Sequence, residues 1–143
     1  MKIKKGIPLI DQHDKHGFWG GKFGGSYIPE TLRKPIDDLT IKFEKLRKDK
    51  KFLAERDYYY NNWVHNGPTP FLKLENLTNH LGGAQIYAKV VSAARGGAHK
   101  IYGAITAAML CKKMGKRYLV TDTGAGYNGK MFSIAAKHFG LKC

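Results

Sequence analysis

Arg117-Tyr-Leu-Val-Thr-Asp-Thr-Gly-Ala-Gly-Tyr-Asn-Gly-Lys130 runs from an apolar stretch through a glycine-rich turn into a helical pattern, and its reading sets the fold class. Residues 117–121 have the β-branched and aromatic character of a strand, 122–129 hold three glycines, and 130–138 form a helix. Further upstream, residues 85–91, Gln-Ile-Tyr-Ala-Lys-Val-Val, are another strand, and 92–98, Ser-Ala-Ala-Arg-Gly-Gly-Ala, a loop. Between the two strands, residues 99–114 set Ile101, Ala104, Ile105 and Ala108 on one helical face before Gly115 closes the helix. The order β-α-β-α predicts an α/β fold with parallel strands. A right-handed crossover brings loops 92–98 and 122–129 to the carboxyl edge of the sheet, where open α/β folds bind ligands.

The amino-terminal part has a different texture. Residues 1–16 are polar, lack periodicity and read as a loose basic tail. Residues 17–30, GFWGGKFGGSYIPE, set glycines among aromatics, a permissive loop pinned by large side chains. Leu32, Ile36, Leu39, Phe43 and Leu46 then form one helical stripe. A second helix is predicted over 51–64, stopped by Asn66-Gly67-Pro68, and a short one over 72–80, ending at Leu81-Gly82-Gly83.

The chain of 143 residues, 43% hydrophobic and 25% charged, has apolar material for a core of its own. No segment reaches the roughly 18 consecutive apolar residues of a membrane span, so no membrane partner is expected. Cys111 and Cys143 have neither CxxC spacing nor metal-ligand company, so no metal is expected and a reducing, cytoplasmic location is. The formal charge is +14, from 25 basic against 11 acidic residues. The lysines lie in short clusters without interleaved aromatics, which reads as solvated helix faces. No nucleic-acid partner is expected, whereas an acidic or phosphorylated small ligand suits the charge.

The loop itself satisfies three patterns. Gly124, Gly126 and Gly129 spell G-x-G-x-x-G, but the acidic residue a dinucleotide site wants about 20 positions on falls past the last residue. Gly124 to Lys130 opens a nucleotide P-loop, but Met131 stands where Ser or Thr would hold Mg²⁺. The third reading is a glycine turn that aims backbone N–H groups and a helix N-terminus at an anion. A second loop, Arg95-Gly-Gly-Ala-His-Lys100, favours the third. Lys100 lies in the first turn of a helix, where the positive end of the dipole favours a neutral, nucleophilic amine of the kind Schiff-base chemistry uses. The bland alternative is one more exposed lysine.

Gly97-Ala-His-Lys100, followed by a helix and Asp122-Thr-Gly-Ala-Gly126, resembles the tryptophan synthase β-chain family, fold-type II pyridoxal-phosphate enzymes. Phe23-Gly-Gly-Ser-Tyr-Ile-Pro-Glu30, Gly67-Pro-Thr-Pro70 and Leu77-Thr-Asn-His-Leu-Gly-Gly-Ala84 keep the likeness in register from about Gly17 to Cys143. The resemblance implies pyridoxal 5'-phosphate held by Lys100, with His99 at its phosphate. It implies Lys100 and Asp122 as catalytic residues in replacing the hydroxyl of L-serine by indole, giving L-tryptophan. Thr123, Gly124, Ala125, Gly126, Tyr127 and Asn128 would bind the substrate carboxylate. An α-type subunit and a β–β dimer are the implied partners.

The pattern departs from the family at identifiable places. Asp122 stands where the family has Glu, and a displacement of roughly 1 Å in a catalytic group can cost on the order of 100-fold in rate. Tyr127-Asn128 replaces Gln-His, and Tyr102 replaces an Asn beside the expected cofactor. Residues 90–97, Val-Val-Ser-Ala-Ala-Arg-Gly-Gly, replace Arg-Glu-Asp-Leu-Asn-His-Thr-Gly. No glycine-rich phosphate cup follows, so the expected architecture is an incomplete portion of the fold. Its segments are the tail 1–16, a Gly-rich and helical segment 17–83, and a partial α/β cofactor-binding unit 84–143. A truncated enzyme inactive alone is one expectation; a non-catalytic, decaying, basic and partner-dependent relative is the alternative.

Overall fold

The computed structural model describes residues 4–14 and 17–143; residues 1–3, 15 and 16 of the expected tail lie outside the described residues. Two compact units are formed, Met1–Thr40 and Ile41–Cys143.

In the first unit, Leu9–Asp11 form a 3₁₀ turn, and β1 (Phe18–Trp19) pairs antiparallel with β2 (Phe23–Gly24). Residues 4–14 are tied by side chains: Gln12 Nε2 donates to the carbonyls of Lys4 at 3.1 Å and Ile7 at 2.7 Å. Trp19 Nε1 donates to the Leu9 carbonyl at 2.7 Å. Helix α1 (Glu30–Leu46) begins in this unit and ends in the second; of its expected stripe Leu46, in the second unit, is buried.

After the end of α1, the second unit continues with α2 (Lys50–Tyr59), capped by Asp49, whose Oδ1 accepts from the amides of Lys51 at 2.8 Å and Phe52 at 3.0 Å. The Phe52 amide chiefly, with that of Lys51, holds the Asp49 carboxyl below its usual range. The expected helix 51–64 does not stay α: Tyr60–Val64 continue it as a π-helical turn. The expected helix 72–80 is displaced, because β3 (Phe71–Lys73) pairs antiparallel with β4 (Tyr87–Lys89) and only α3 (Glu75–Leu81) remains helical. Stacked rings of Phe71 and Tyr87, 5.0 Å apart, fasten that register. Gly82, at φ 61°, caps α3 as its position after the last apolar residue requires.

Two long helices dominate the rest, α4 (Lys100–Lys113) and α5 (Tyr127–His138), which pack more extensively on each other than any other pair. Ala104, Ala108, Ala135 and Ala136 are buried with Ile101, Ile105, Met109 and Met131, so small residues let the helices approach. The mixed helix–strand class holds, but the expected β-α-β-α order does not: no strand forms over 117–121, and the expected parallel pair is absent among the described residues. β4 takes β3 as its neighbour, and residues 117–121 make a single parallel bridge, Tyr118 to Lys142. The backbone groups of 117–119 go to residue 142 instead: the Leu119 amide donates to the Lys142 carbonyl at 2.8 Å and the Lys142 amide to the Arg117 carbonyl at 2.9 Å, with Leu119 buried and Tyr118 and Val120 exposed.

Candidate functional site

Helices α4 and α5 begin at one cleft of about 350 Å³. Gly97, Ala98, His99 and Lys100 line it at the start of α4, and Thr123, Gly124, Ala125, Tyr127 and Asn128 at the start of α5. Val91 and Ser92, from the 3₁₀ turn Val91–Ala93 after β4, close a third side. The two sequence-predicted loops therefore meet, brought together by the packing of α4 on α5 and not by the expected parallel crossover. Asp122 and Gly126 are not among the lining residues; Asp122 is exposed at the start of the loop.

Local sequence explains the shape. Gly96, at φ 81°, turns the chain into α4 against α5, and a Cβ there would stand 2.5 Å from Met131 Cε. Gly126, at φ 88°, is the N-cap of α5, so that helix starts three residues earlier than its sequence pattern indicates. Asn128 then reaches back: its Nδ2 donates to Thr121 Oγ1 at 2.7 Å and to the Asp122 carbonyl at 2.9 Å. The side chain of Asn128 thus shapes the loop, and its backbone N–H is the group left for a ligand.

Electrostatics follow from the same geometry. Neither helix has a side-chain cap or an acidic residue in its first turn. Both helix starts therefore present the positive ends of helix dipoles, and the first turn of α5 presents backbone N–H groups. At α4 the amides of Ile101 and Tyr102 already donate to the carbonyls of Ala98 and His99, so the Lys100 amide is the one offered there. No lining residue is acidic, and Lys100 and His99 add basic groups. A cleft of this kind takes a small anion or a ligand with two anionic groups, and its volume lies in the range of small-molecule sites.

Tyr102, expected beside a cofactor, does not line the cleft. Its ring packs edge-on against Tyr60 with centroids 5.1 Å apart, and burial pushes its hydroxyl above its ordinary range, helped by Tyr60. Gly97 and Ala98 line the cleft as part of the motif around Lys100, whereas Val91, read as a strand end, and Ser92, read as loop, line it without having been singled out from their chemistry. The signal that pointed there was their place in the loop at the carboxyl edge of a strand.

Residues 63–143 match the family described as pyridoxal-phosphate dependent enzyme. The chain is also similar to the tryptophan synthase beta chain of Fusobacterium nucleatum subsp. nucleatum, 41% identical over 130 residues that make up 91% of this chain and 32% of that protein. It spans about a third of the length of this curated relative.

Proposed function

The chain belongs to the pyridoxal-phosphate-dependent enzyme family, and from that premise we propose that it is built for β-replacement, exchanging the hydroxyl of L-serine for indole to give L-tryptophan. One observation carries the reading: Lys100 at the N-terminus of α4 and the glycine loop at the N-terminus of α5 share one cleft without an acidic lining. The family's cofactor is pyridoxal phosphate, and the residues present fit it. An amine, a histidine at a helix start and the first-turn N–H groups of α5 suit an aldehyde, a phosphate and a carboxylate.

When bound, the cofactor supplies the electron sink that stabilises a carbanion at Cα. Lys100 Nζ is the amine that would hold it, and the base that moves the serine Cα proton. His99 and the Lys100 backbone N–H at the start of α4 would bind the phosphate. The backbone N–H groups of residues 123–128 would orient the serine carboxylate at the start of α5. The Asp122 carboxyl would serve the departing hydroxyl as acid, from its exposed place at the loop's start. The half-buried Val91 and Ala98 would give the bound group apolar contact on one side.

An α-type subunit, a second β chain and a cytoplasmic location complete the proposal. Among the described residues, no helix is long and apolar enough to cross a membrane. The test is reductive trapping: the full chain is incubated with pyridoxal phosphate, reduced with borohydride and mapped by peptide mass spectrometry. The phosphopyridoxyl group is expected on Lys100 and absent from that peptide in Lys100→Ala. Modification scattered over other lysines, with Lys100 untouched, would refute the reading and favour a non-catalytic basic protein.

A further inference from the structure

We infer that Arg95 is a positioning residue for the cleft, gripping the π-helical turn Tyr60–Val64 so that the turn carrying His99 and Lys100 is held in place. The inference rests on the cofactor reading above. Gly96 and Gly97 both adopt left-handed backbone, at φ 81° and 83°, and two consecutive glycines have little stiffness of their own. What precedes them is clamped. The Arg95 guanidinium lies 4.4 Å from the centre of the Trp63 ring, and its Nε donates to the Trp63 carbonyl at 2.7 Å. That carbonyl belongs to the last turn of a helical segment, where acceptors lack helical partners and a cation is favoured.

The π-helical turn is also fastened on the far side of Lys100. Tyr60 Oη lies 2.6 Å from Thr106 Oγ1 and donates to the Tyr102 carbonyl at 3.2 Å, both on α4. Residues 60–64 thus act as a strut between Arg95 and the first and second turns of α4, with Lys100 between the two attachments. Releasing Arg95 leaves the glycine pair to wander while α4 stays folded on α5. Arg suits the post because its planar fork stacks on an indole and donates along its edge at once; Lys cannot do both.

The full chain, Arg95→Ala and Arg95→Lys are compared by borohydride trapping over a pyridoxal phosphate series, reading Lys100 against Lys116 as internal reference. Amide exchange at Gly97 and Ile101, which donate to the carbonyls of Ala94 and Ala98, is read on the same proteins without cofactor. Arg95→Ala is expected to raise the half-trapping concentration at Lys100 by about 5- to 30-fold and to speed both amides by a similar factor. Trapping at Lys116 and exchange at Ala135 stay unchanged, and Arg95→Lys recovers part of the loss, or carries the comparison alone if the alanine variant fails to fold. Wild-type trapping at Lys100 that the variants leave unmoved overturns the inference and leaves the cofactor reading standing. If wild type does not trap at Lys100, the cofactor reading falls and exchange alone decides: faster exchange confined to Gly97 and Ile101 supports the clamp, and unaltered exchange overturns it.

Discussion

Gly96 and Gly97 share a left-handed backbone but not their surroundings. A Cβ at Gly97 would meet nothing within 4 Å, whereas at Gly96 it would press on the buried Met131. Gly97→Ala is therefore expected to cost about 1–2 kcal/mol, the penalty of left-handed backbone alone. Gly96→Ala should add about 1–3 kcal/mol for overpacking. Urea unfolding of both variants checks this, and equal losses would mean that Met131 yields freely. The two cysteines make a second contrast at this scale. Cys111 is buried, its Sγ donates to the Tyr118 carbonyl at 3.4 Å, and burial pushes its thiol above the usual range. Cys143 is exposed. A thiol reagent should therefore modify Cys143 in the native protein and Cys111 only after unfolding; prompt reaction of both would contradict the packing of α4 on residues 118–119.

The pairing of α4 with α5 carries most of the second unit's core. Ile105 has no exposed surface, so Ile105→Ala is expected to cost about 2–5 kcal/mol by chemical denaturation. Helix α5 also carries a pH-dependent term. The His138 ring packs against Tyr59, Trp63 and Phe139; partial burial, and secondarily the charge of Arg95, lowers its pKa from the ordinary 6.5. Because the unfolded chain then binds the proton more readily, this contribution is present above pH 6.5 and is lost as pH falls below it. Melting temperature should drop between pH 7 and 5 in wild type and drop less in His138→Phe; identical pH slopes would remove His138 from the explanation. Helices were the legible elements, since residues 101, 104, 105 and 108 show their buried face by spacing alone. The antiparallel pairing of 71–73 with 87–89 was not legible, because Phe71 and Leu72 fit a helical pattern until Tyr87 and Ala88 lie beside them. The π-helical turn was equally hidden, being set by Tyr60 and Trp63 reaching partners more than 30 residues away.

At the scale of the whole molecule, a strongly basic chain brings two helix N-termini, a lysine and a glycine loop to one cleft, and belongs to a family whose cofactor is anionic. Positive potential of this kind speeds the arrival of anionic ligands without dictating which one binds. Motif spacing made Lys100 and the 123–128 loop candidates, and the β-α-β-α order said they would share an edge. Spacing was silent on Val91 and Ser92, which carry no distinctive chemistry and enter the cleft through the turn after β4. Sequence also left Asp122 in the site on resemblance, while in the structure it is exposed outside the lining, with its carbonyl accepting from Asn128 Nδ2. The central claim is that Lys100 is the one amine in this lysine-rich chain made selective by its place in the cleft. Titration with pyridoxal phosphate, following the visible absorbance of the lysine-bound form in wild type and Lys100→Ala, tests it most directly. A saturable signal at one equivalent per chain in wild type, lost in Lys100→Ala, is the predicted result; the same signal in both proteins would contradict the account.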